Sequence, residues 1–245
     1  MIRFDTHAIS CAGGRDTNQD ALRYSVNGTA ALWVLADGLG GHAGGEEASR
    51  AAVDAAMQGF LSKPECSSAA LKAYLEAANA AVVARQEVNA AGHAMRTTVV
   101  LLVAREDQAQ WAHVGDSRLY WFHQGRLAGQ TLDHSVPQAM VDAGQLTRRQ
   151  IRFHEDRNRL LRSLGGREAL RATIEERPHT LAPGDAFLLC SDGFWDYVTE
   201  TAMELDLAKS GSAEEWMYHM ELRLRAALPE ASDNYSAIAV MIASA

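Results

Sequence analysis

Residues 97–123, TTVVLLVAREDQAQWAHVGDSRLYWFH, decide the fold class. They contain three runs of strand length, at 97–104, 110–114 and 118–123, which are rich in β-branched and aromatic residues. No helical pattern separates these runs. A parallel α/β fold would alternate strands and helices one for one, so this grouping of strands indicates antiparallel sheets.

The elements on either side repeat this grouping. Further strands are predicted over 21–26, 30–36, 186–190 and 235–242, and helices over 45–61, 68–88 and 213–227. The helix at 68–88 has apolar residues at helical spacing, and Ser67 or Ser68 is a candidate N-cap. Two helices therefore follow each other without a strand between them, which favours helices packed outside antiparallel sheets.

Length and composition describe an ordinary globular chain. With 245 residues the chain fits one domain of ordinary to large size, or two small ones. We find no internal repeat and no Pro/Ser-rich linker, so a single domain over 1–245 is predicted. Hydrophobic residues at 47% and charged residues at 22% exclude a disordered chain.

Cysteine use and hydropathy predict a cytoplasmic location. Cys11, Cys66 and Cys190 are odd in number, far apart and form no CxxC pair, which is typical of reduced thiols. The first ten residues lack the apolar run of a signal peptide, and no run approaches the ~20 apolar residues of a membrane span. The net charge of −8 argues against a broad nucleic-acid or anionic-membrane surface.

Five aspartates stand at the tips of predicted strands: Asp20, Asp37, Asp116, Asp192 and Asp233. If these tips meet, the carboxylates repel one another by ~4 kcal/mol per pair at close range, unless hard divalent cations such as Mg²⁺ or Mn²⁺ lie among them. An Asp-Gly after a strand is also a common turn. A metal site and a set of turns therefore remain alternatives.

Two cationic or titratable residues flank these acids. Arg15 has the geometry to grip a phosphate with two hydrogen bonds, although many arginines are simply exposed. His42 lies in the glycine-rich stretch 37–45 and is a candidate proton donor near neutral pH or a structural histidine.

The combined motifs resemble the protein phosphatase 2C family of metal-dependent serine/threonine phosphatases. The motifs are GRDTNQD (14–20), ADGLGGH (36–42), RTT (96–98), VGDSRLY (114–120), DHS (133–135), LCSDG (189–193) and SDN (232–234). The resemblance runs from about residue 8 to residue 243. It implies an α+β fold, an αββα sandwich in which two antiparallel β-sheets are flanked by pairs of helices.

The resemblance implies a site for two Mn²⁺ or Mg²⁺ ions. Asp37 would bridge them, with the Gly38 carbonyl as a further ligand, and Asp192 and Asp233 would complete the first metal. Asp20 would belong to the environment of the second metal.

A third, weaker metal would be held by Asp116 together with Asp192. Arg15 would bind the substrate phosphate, and His42 would be the general acid toward the leaving seryl or threonyl oxygen. Asn234 and Thr98 would support the site from behind the ligands.

Two residues depart from the family pattern. Gln19 stands where many members carry Glu, so an amide replaces a carboxylate near the second metal. Arg96 stands where a glycine usually precedes the two threonines.

A basic segment follows the central strands. Residues 148–171 hold eight arginines and three acidic residues. The resemblance makes 133–165 the flap beside the active site. The segment is either a solvated helix face or a docking surface, and an aromatic stripe that would favour nucleic acid is missing. Our hypothesis is that Arg148, Arg149 and Arg152 attract an acidic or phosphorylated protein segment.

The expected activity is hydrolysis of phosphoserine and phosphothreonine in proteins by a metal-activated water. The expected enzyme is a monomer that opposes a bacterial serine/threonine kinase and binds neither nucleic acid nor membrane. Two alternatives stay open: a non-catalytic regulatory binding module of the same fold, and a phosphatase of another phosphate ester.

Overall fold

The computed structural model describes residues 2–39, 43–88, 95–166 and 168–244. The strands are β1 Ile2–Cys11, β2 Asp20–Asn27, β3 Ala30–Leu39, β4 Arg96–Thr97, β5 Val99–Arg105, β6 Gln108–Val114, β7 Arg118–His123, β8 Arg126–Gln130, β9 Thr173–Ile174, β10 His179–Thr180, β11 Ala186–Cys190 and β12 Tyr235–Ser244. The helices are α1 Ala43–Ser62, α2 Ser68–Val88, α3 Val136–Asp142, α4 Asp192–Trp195, α5 Glu200–Ala208 and α6 Ala213–Ala227. A 3₁₀ turn covers Arg148–Phe153.

The strands form two sheets. One has the order β1-β12-β11-β7-β8, and the other β10-β6-β5-β3-β2, with the short β4 and β9 paired to β3 and β6. Every pairing between these strands is antiparallel. The antiparallel class predicted from the grouped strands is therefore confirmed.

Alternation along the central strands explains why the sheets stack. In β3, Leu32, Val34 and Ala36 face a core shared with α1 and α2. The intervening Trp33 and Leu35 face the second sheet, in a core that also contains residues of β11 and β12. Because side chains of a strand alternate between faces, an unbroken apolar run is buried on both sides.

The helices complete the two outer layers. α1 and α2 pack together over β3 and β2, and α5 and α6 cover the sheet that contains β1 and β12. Trp216 of α6 is fully buried in that outer core. The αββα sandwich with paired helices is therefore confirmed. Among the described helices, none is both long and apolar enough to cross a membrane.

The predicted helices are present, and the N-cap of α2 is settled. Ser67 is the cap, because its hydroxyl accepts from the backbone N–H of Ala70 at 3.2 Å. The predicted strand 97–104 is divided at Thr98 into β4 and β5. Strands β1 and β8 and the short helices α3 to α5 are additional elements that the sequence patterns do not predict.

Candidate active site

Two of the predicted aspartates face each other across neighbouring strands. The register of β2 and β3 places Asp20 directly opposite Asp37. Directly opposite residues of an antiparallel pair have Cβ atoms about 5 Å apart, so two like charges there are unfavourable unless something compensates them.

The backbone of Asp37 is held by the RTT motif. Its N–H donates to Thr98 Oγ1 at 2.9 Å, and its carbonyl oxygen accepts from Thr97 Oγ1 and from the Thr98 N–H, each at 2.8 Å. Thr98 Oγ1 also lies 2.7 Å from Ser117 Oγ. Both threonines are buried, so these bonds fix the end of β3 firmly.

The other sheet delivers two further aspartates. Asp192 begins α4 directly after β11, and Asp233 lies just before β12. Ser191, next to Asp192, donates from its hydroxyl to Asp20 Oδ2 at 2.8 Å, so the two sheets are joined at this point.

Asn234 ties the N-terminal loop to this edge. Its Oδ1 accepts from the Gln19 N–H at 2.9 Å, and its Nδ2 donates to the carbonyl oxygens of Ala12 and Thr17 at 2.8 and 2.9 Å. Asn234 therefore holds the loop that carries Arg15, because it binds this loop on both sides of the arginine.

These residues converge on one cleft of about 420 Å³. The predicted site residues in its lining are Arg15, Asp37, Gly38, Asp116, Asp192, Asp233 and Asn234. Asp20 lies behind the cleft, where it raises the pKa of both Asp37 and Asp192 by its charge. The five aspartates at the strand tips are therefore gathered at one place.

Burial and mutual repulsion raise the pKa of four of these carboxyl groups. Burial, reinforced by the charges of the other four aspartates, holds the pKa of Asp37 well above its ordinary range. Burial and then Asp192 do the same to Asp116. Burial raises the pKa of Asp20 to about 6 and that of Asp192 to about 7. Ionising all of these carboxyl groups together is therefore unfavourable unless a positive charge compensates them.

The donor set fits a hard divalent cation. Among the described residues, the buried Asp20 Oδ1 has no hydrogen-bond partner. Gly38 is packed so closely against the start of α1 that a Cβ there would lie 2.1 Å from the Gly45 carbonyl oxygen. Carboxylate and carbonyl oxygens are the ligands that Mg²⁺ and Mn²⁺ prefer. No three of the described His, Cys, Asp and Glu side chains are drawn together tightly enough to enclose an ion by themselves.

Arg15 stands at the mouth of the cleft. Its Nη2 donates to Asp233 Oδ2 at 3.1 Å, and its side chain remains 58% exposed, so the guanidinium is oriented and still accessible to a ligand. The candidate general acid His42 lies outside the described residues.

A buried network that no sequence pattern predicts lies behind Asp116. The backbone carbonyl of Asp116 accepts from Trp195 Nε1 at 2.9 Å. The Arg118 guanidinium lies 3.4 Å from the centre of the Trp195 ring and makes two 2.7 Å hydrogen bonds to Asp133. The VGDSRLY and DHS motifs contain Arg118 and Asp133, but only the fold shows that they meet.

The flap arginines divide into anchors and exposed residues. Arg152 is buried, with its Nη2 2.7 Å from Glu200 Oε1, and it is therefore unavailable for the docking role hypothesised for it. Arg157 donates to Asp196 at 3.1 Å. Arg148 and Arg149 are exposed, as the hypothesis requires.

The cysteines take no part in the site. Cys11, Cys66 and Cys190 are free thiols in the structure. Cys190 is fully buried next to the site, and burial raises its pKa well above the ordinary value, which disfavours the nucleophilic thiolate.

Comparison with known proteins identifies the family. The family model described as protein phosphatase 2C matches residues 10–228. The chain is 34% identical over 217 residues to the serine/threonine protein phosphatase PstP of Mycobacterium tuberculosis, covering 88% of this chain and 41% of that protein. It is 31% identical over 182 residues to the serine/threonine phosphatase stp of Listeria welshimeri, covering 72% of this chain and 71% of the relative.

A solved structure agrees over the whole chain. The catalytic domain of PstP in complex with two manganese ions superposes with a TM-score of 0.83 at 29% identity, covering 100% of both chains. This chain spans about two fifths (41%) of the full length of PstP. The family match, the sequence identities and the shared sandwich show that the chain belongs to the protein phosphatase 2C family.

Proposed function

We propose that this chain is a metal-dependent protein phosphatase that hydrolyses phosphoserine and phosphothreonine. The convergence of five aspartates from both sheets on one cleft, with Arg15 at its mouth, supports this proposal most directly. The relatives PstP and stp are named serine/threonine phosphatases, which favours proteins as substrates.

The residues that would hold two Mn²⁺ or Mg²⁺ ions are Asp20, Asp37, Gly38, Asp192 and Asp233, and Asp116 with Asp192 would hold a third, weaker one. When bound, such ions lower the pKa of a shared water and neutralise charge on phosphoryl oxygens. The raised pKa values of Asp37 and Asp192 support this assignment. These carboxyl groups are difficult to ionise without a nearby positive charge, so a bound cation would stabilise their ionised forms strongly.

Arg15 binds and orients the phosphate of the substrate. Its guanidinium presents parallel N–H donors that match two phosphate oxygens, and its contact with Asp233 keeps it aimed into the cleft. Thr98 and Asn234 act by positioning, because they fix the Asp37 backbone and the loop that carries Arg15.

His42 donates the proton that the leaving seryl or threonyl oxygen needs. This role rests on the sequence motif. Gln19 presents a neutral amide near Asp37, so the carboxylate count at the second ion is one lower than in members with Glu there.

The partners of the enzyme are phosphorylated proteins, among them the substrates of a serine/threonine kinase and the kinase itself. We place the enzyme in the cytoplasm, where its three cysteines would remain reduced thiols. We propose a monomer, since all of the proposed ligands come from one chain.

Phosphate release from a phosphothreonine peptide with and without Mn²⁺ tests the proposal. Wild type is expected to require the ion and to lose activity in EDTA, and Asp192→Asn to lose at least about 100-fold in kcat. Asp107→Asn, at an exposed turn on the opposite end of β6, is the matched control and should retain full activity. A wild-type protein without metal-dependent turnover would exclude the enzyme and favour the binding module. Turnover of small phosphate esters without turnover of any phosphopeptide would favour the other esterase.

A further inference from the structure

A second groove, of about 550 Å³, adjoins the catalytic cleft. Leu160 of the flap lines both, so the two cavities lie on either side of this residue. Among the described residues, the lining of the second groove contains three arginines and one acidic residue: Arg96, Arg162, Arg171 and Glu168. A cleft lined by carboxylates therefore adjoins a groove of the opposite charge.

Arg96 marks the junction. The register of β3 and β4 pairs Gly38 with Thr97 and Leu39 with Arg96, so Arg96 lies one residue beyond a predicted metal ligand. No hydrogen bond or ion pair connects its guanidinium to another of the described residues. Gly166 makes room for this side chain, since a Cβ at that position would lie 3.1 Å from Arg96 Nη1.

The other two arginines remain available to a ligand. Arg171 is 72% exposed and lies 3.9 Å from Glu168, which is itself 84% exposed, so that ion pair is weak. Arg162 is exposed, and its Nη1 lies 3.3 Å from His134 Nε2. Burial, followed by the neighbouring His113 and Arg162, lowers the pKa of His134 to about 3, so His134 is neutral and does not add to the charge.

We propose that this groove binds a second phosphate, carried by another phosphorylated residue of the same substrate protein. The inference rests on the proposed function, because it needs the first phosphoresidue in the catalytic cleft. A phosphate of charge near −2 matches an excess of two positive charges, and planar guanidinium groups bind phosphate through paired hydrogen bonds. The described lining contains no aromatic side chain on which nucleic-acid bases would stack.

Arg96 is then a specificity-determining residue. Where the residue before the two threonines is glycine, this corner of the groove has no charge. Here the guanidinium at that position favours substrates phosphorylated at two nearby sites over those phosphorylated at one. The enzyme would act first on multiply phosphorylated segments.

Competing peptides provide the test. Each peptide carries one phosphothreonine and, within about four residues on either side (roughly 13 Å of extended chain), a phosphonate analogue of phosphoserine that resists hydrolysis. Matched peptides carry Ala or Glu at that position. For wild type with Mn²⁺, we expect kcat/KM for the best phosphonate peptide to exceed that for its Ala counterpart about tenfold, mainly through KM.

The preference, measured as a ratio within each variant, should depend on the groove arginines. Arg96→Gln and Arg171→Gln are expected to lower the ratio to about threefold or less, and Arg96→Lys to retain part of it because the charge remains. Arg126→Gln on β8 of the other sheet, which is 83% exposed and paired with Glu204, is the matched control and should keep the wild-type ratio.

Three results would overturn the inference. The first is an equal kcat/KM of wild type on the phosphonate and Ala peptides. The second is a preference for the phosphonate peptide that is undiminished in both Gln variants. The third is an equal preference of wild type for the Glu peptide over the Ala peptide, which would make the groove a general acidic-residue site. Turnover without any preference overturns this inference alone. Absence of all turnover overturns the proposed function, and this inference with it.

Discussion

Thr98 shows how one hydroxyl shapes the site. Its Oγ1 accepts the Asp37 N–H at 2.9 Å at the point where β4 and β5 separate, and it is fully buried. The backbone N–H of Asp37, the proposed bridging ligand, is therefore hydrogen bonded to a side chain and not to a backbone carbonyl of a neighbouring strand.

Replacing Thr98 with Val should lower the free energy of unfolding by about 1–3 kcal/mol, because the buried Asp37 N–H loses its acceptor. Urea denaturation measures this loss, and phosphate release should fall as Asp37 moves. Thr98→Ser keeps the hydroxyl and is expected to stay near wild type. A Val variant as stable as wild type would show that the bond contributes nothing.

The raised pKa values of Asp20 and Asp192 make the stability of the ion-free protein depend on pH. In the folded state these groups hold protons up to about pH 6 and 7, whereas in the unfolded chain they release them near their ordinary value of 3.8. The folded state therefore binds more protons, and stability falls as pH rises from about 5 to about 7.

Thermal unfolding in EDTA across that pH range measures this dependence. The melting temperature should decrease with rising pH, since the raised pKa values of Asp37 and Asp116 act in the same direction. Asp192→Asn should make the slope shallower, because one of the four titrating groups is removed. A melting temperature that increases between pH 5 and 7 would contradict the assignment of the protons to these carboxyl groups.

At the scale of elements, a buried ion pair joins β7 to the start of the flap. Arg118 makes two 2.7 Å hydrogen bonds to Asp133, and both side chains are nearly inaccessible. Through Trp195 the same arginine supports the backbone of Asp116. The flap is thus anchored to the layer that carries the site.

Asp133→Asn should reduce the free energy of unfolding by about 3 kcal/mol, because it removes the carboxylate that binds Arg118 closely. The buried guanidinium then keeps only the more distant Glu200, at 3.8 Å, as an acidic neighbour. Denaturant titration is the measurement. The double variant Arg118→Met with Asp133→Leu removes both charges and should be less destabilised than Asp133→Asn. If the single variant were as stable as wild type, the pair would be structurally irrelevant.

The sequence predicts the elements whose pattern is local. β3 and β11 are unbroken apolar runs because both faces are buried, and α2 has helical spacing and a serine cap. β1 escapes prediction because its burial comes from pairing with β12, which lies more than 200 residues away in the chain, and not from a local apolar run. The 3₁₀ turn at Arg148–Phe153 differs, because it has a local signal that was missed: Gln150 accepts from the Thr147 N–H at 2.8 Å in a capping box. The contact between Arg152 and Glu200 adds tertiary support.

For the molecule as a whole, the proposed ligands come from both sheets. Asp20 and Asp37 belong to the sheet under α1, whereas Asp192 and Asp233 extend from β11 and β12 of the other. The sequence placed each of these residues at a strand tip. Their convergence follows from the stacking of the sheets, which no local pattern encodes.

Ions that bind between the sheets should stabilise the entire sandwich. At a Mn²⁺ concentration 100 times the dissociation constant, the expected gain is about 2.7 kcal/mol, seen as a higher melting temperature. The gain should largely disappear in Asp192→Asn and persist in Asp107→Asn. A wild-type melting temperature unchanged by saturating Mn²⁺ would argue against ligands drawn from both sheets.

The division of the flap arginines has an evolutionary consequence. Arg152 and Arg157 hold the segment in place through Glu200 and Asp196, while Arg148 and Arg149 project into solvent. Substitutions at exposed positions usually change stability little. Arg148 and Arg149 can therefore change during evolution at little cost in stability, whereas the pairs of Arg152 with Glu200 and of Arg157 with Asp196 are under structural constraint.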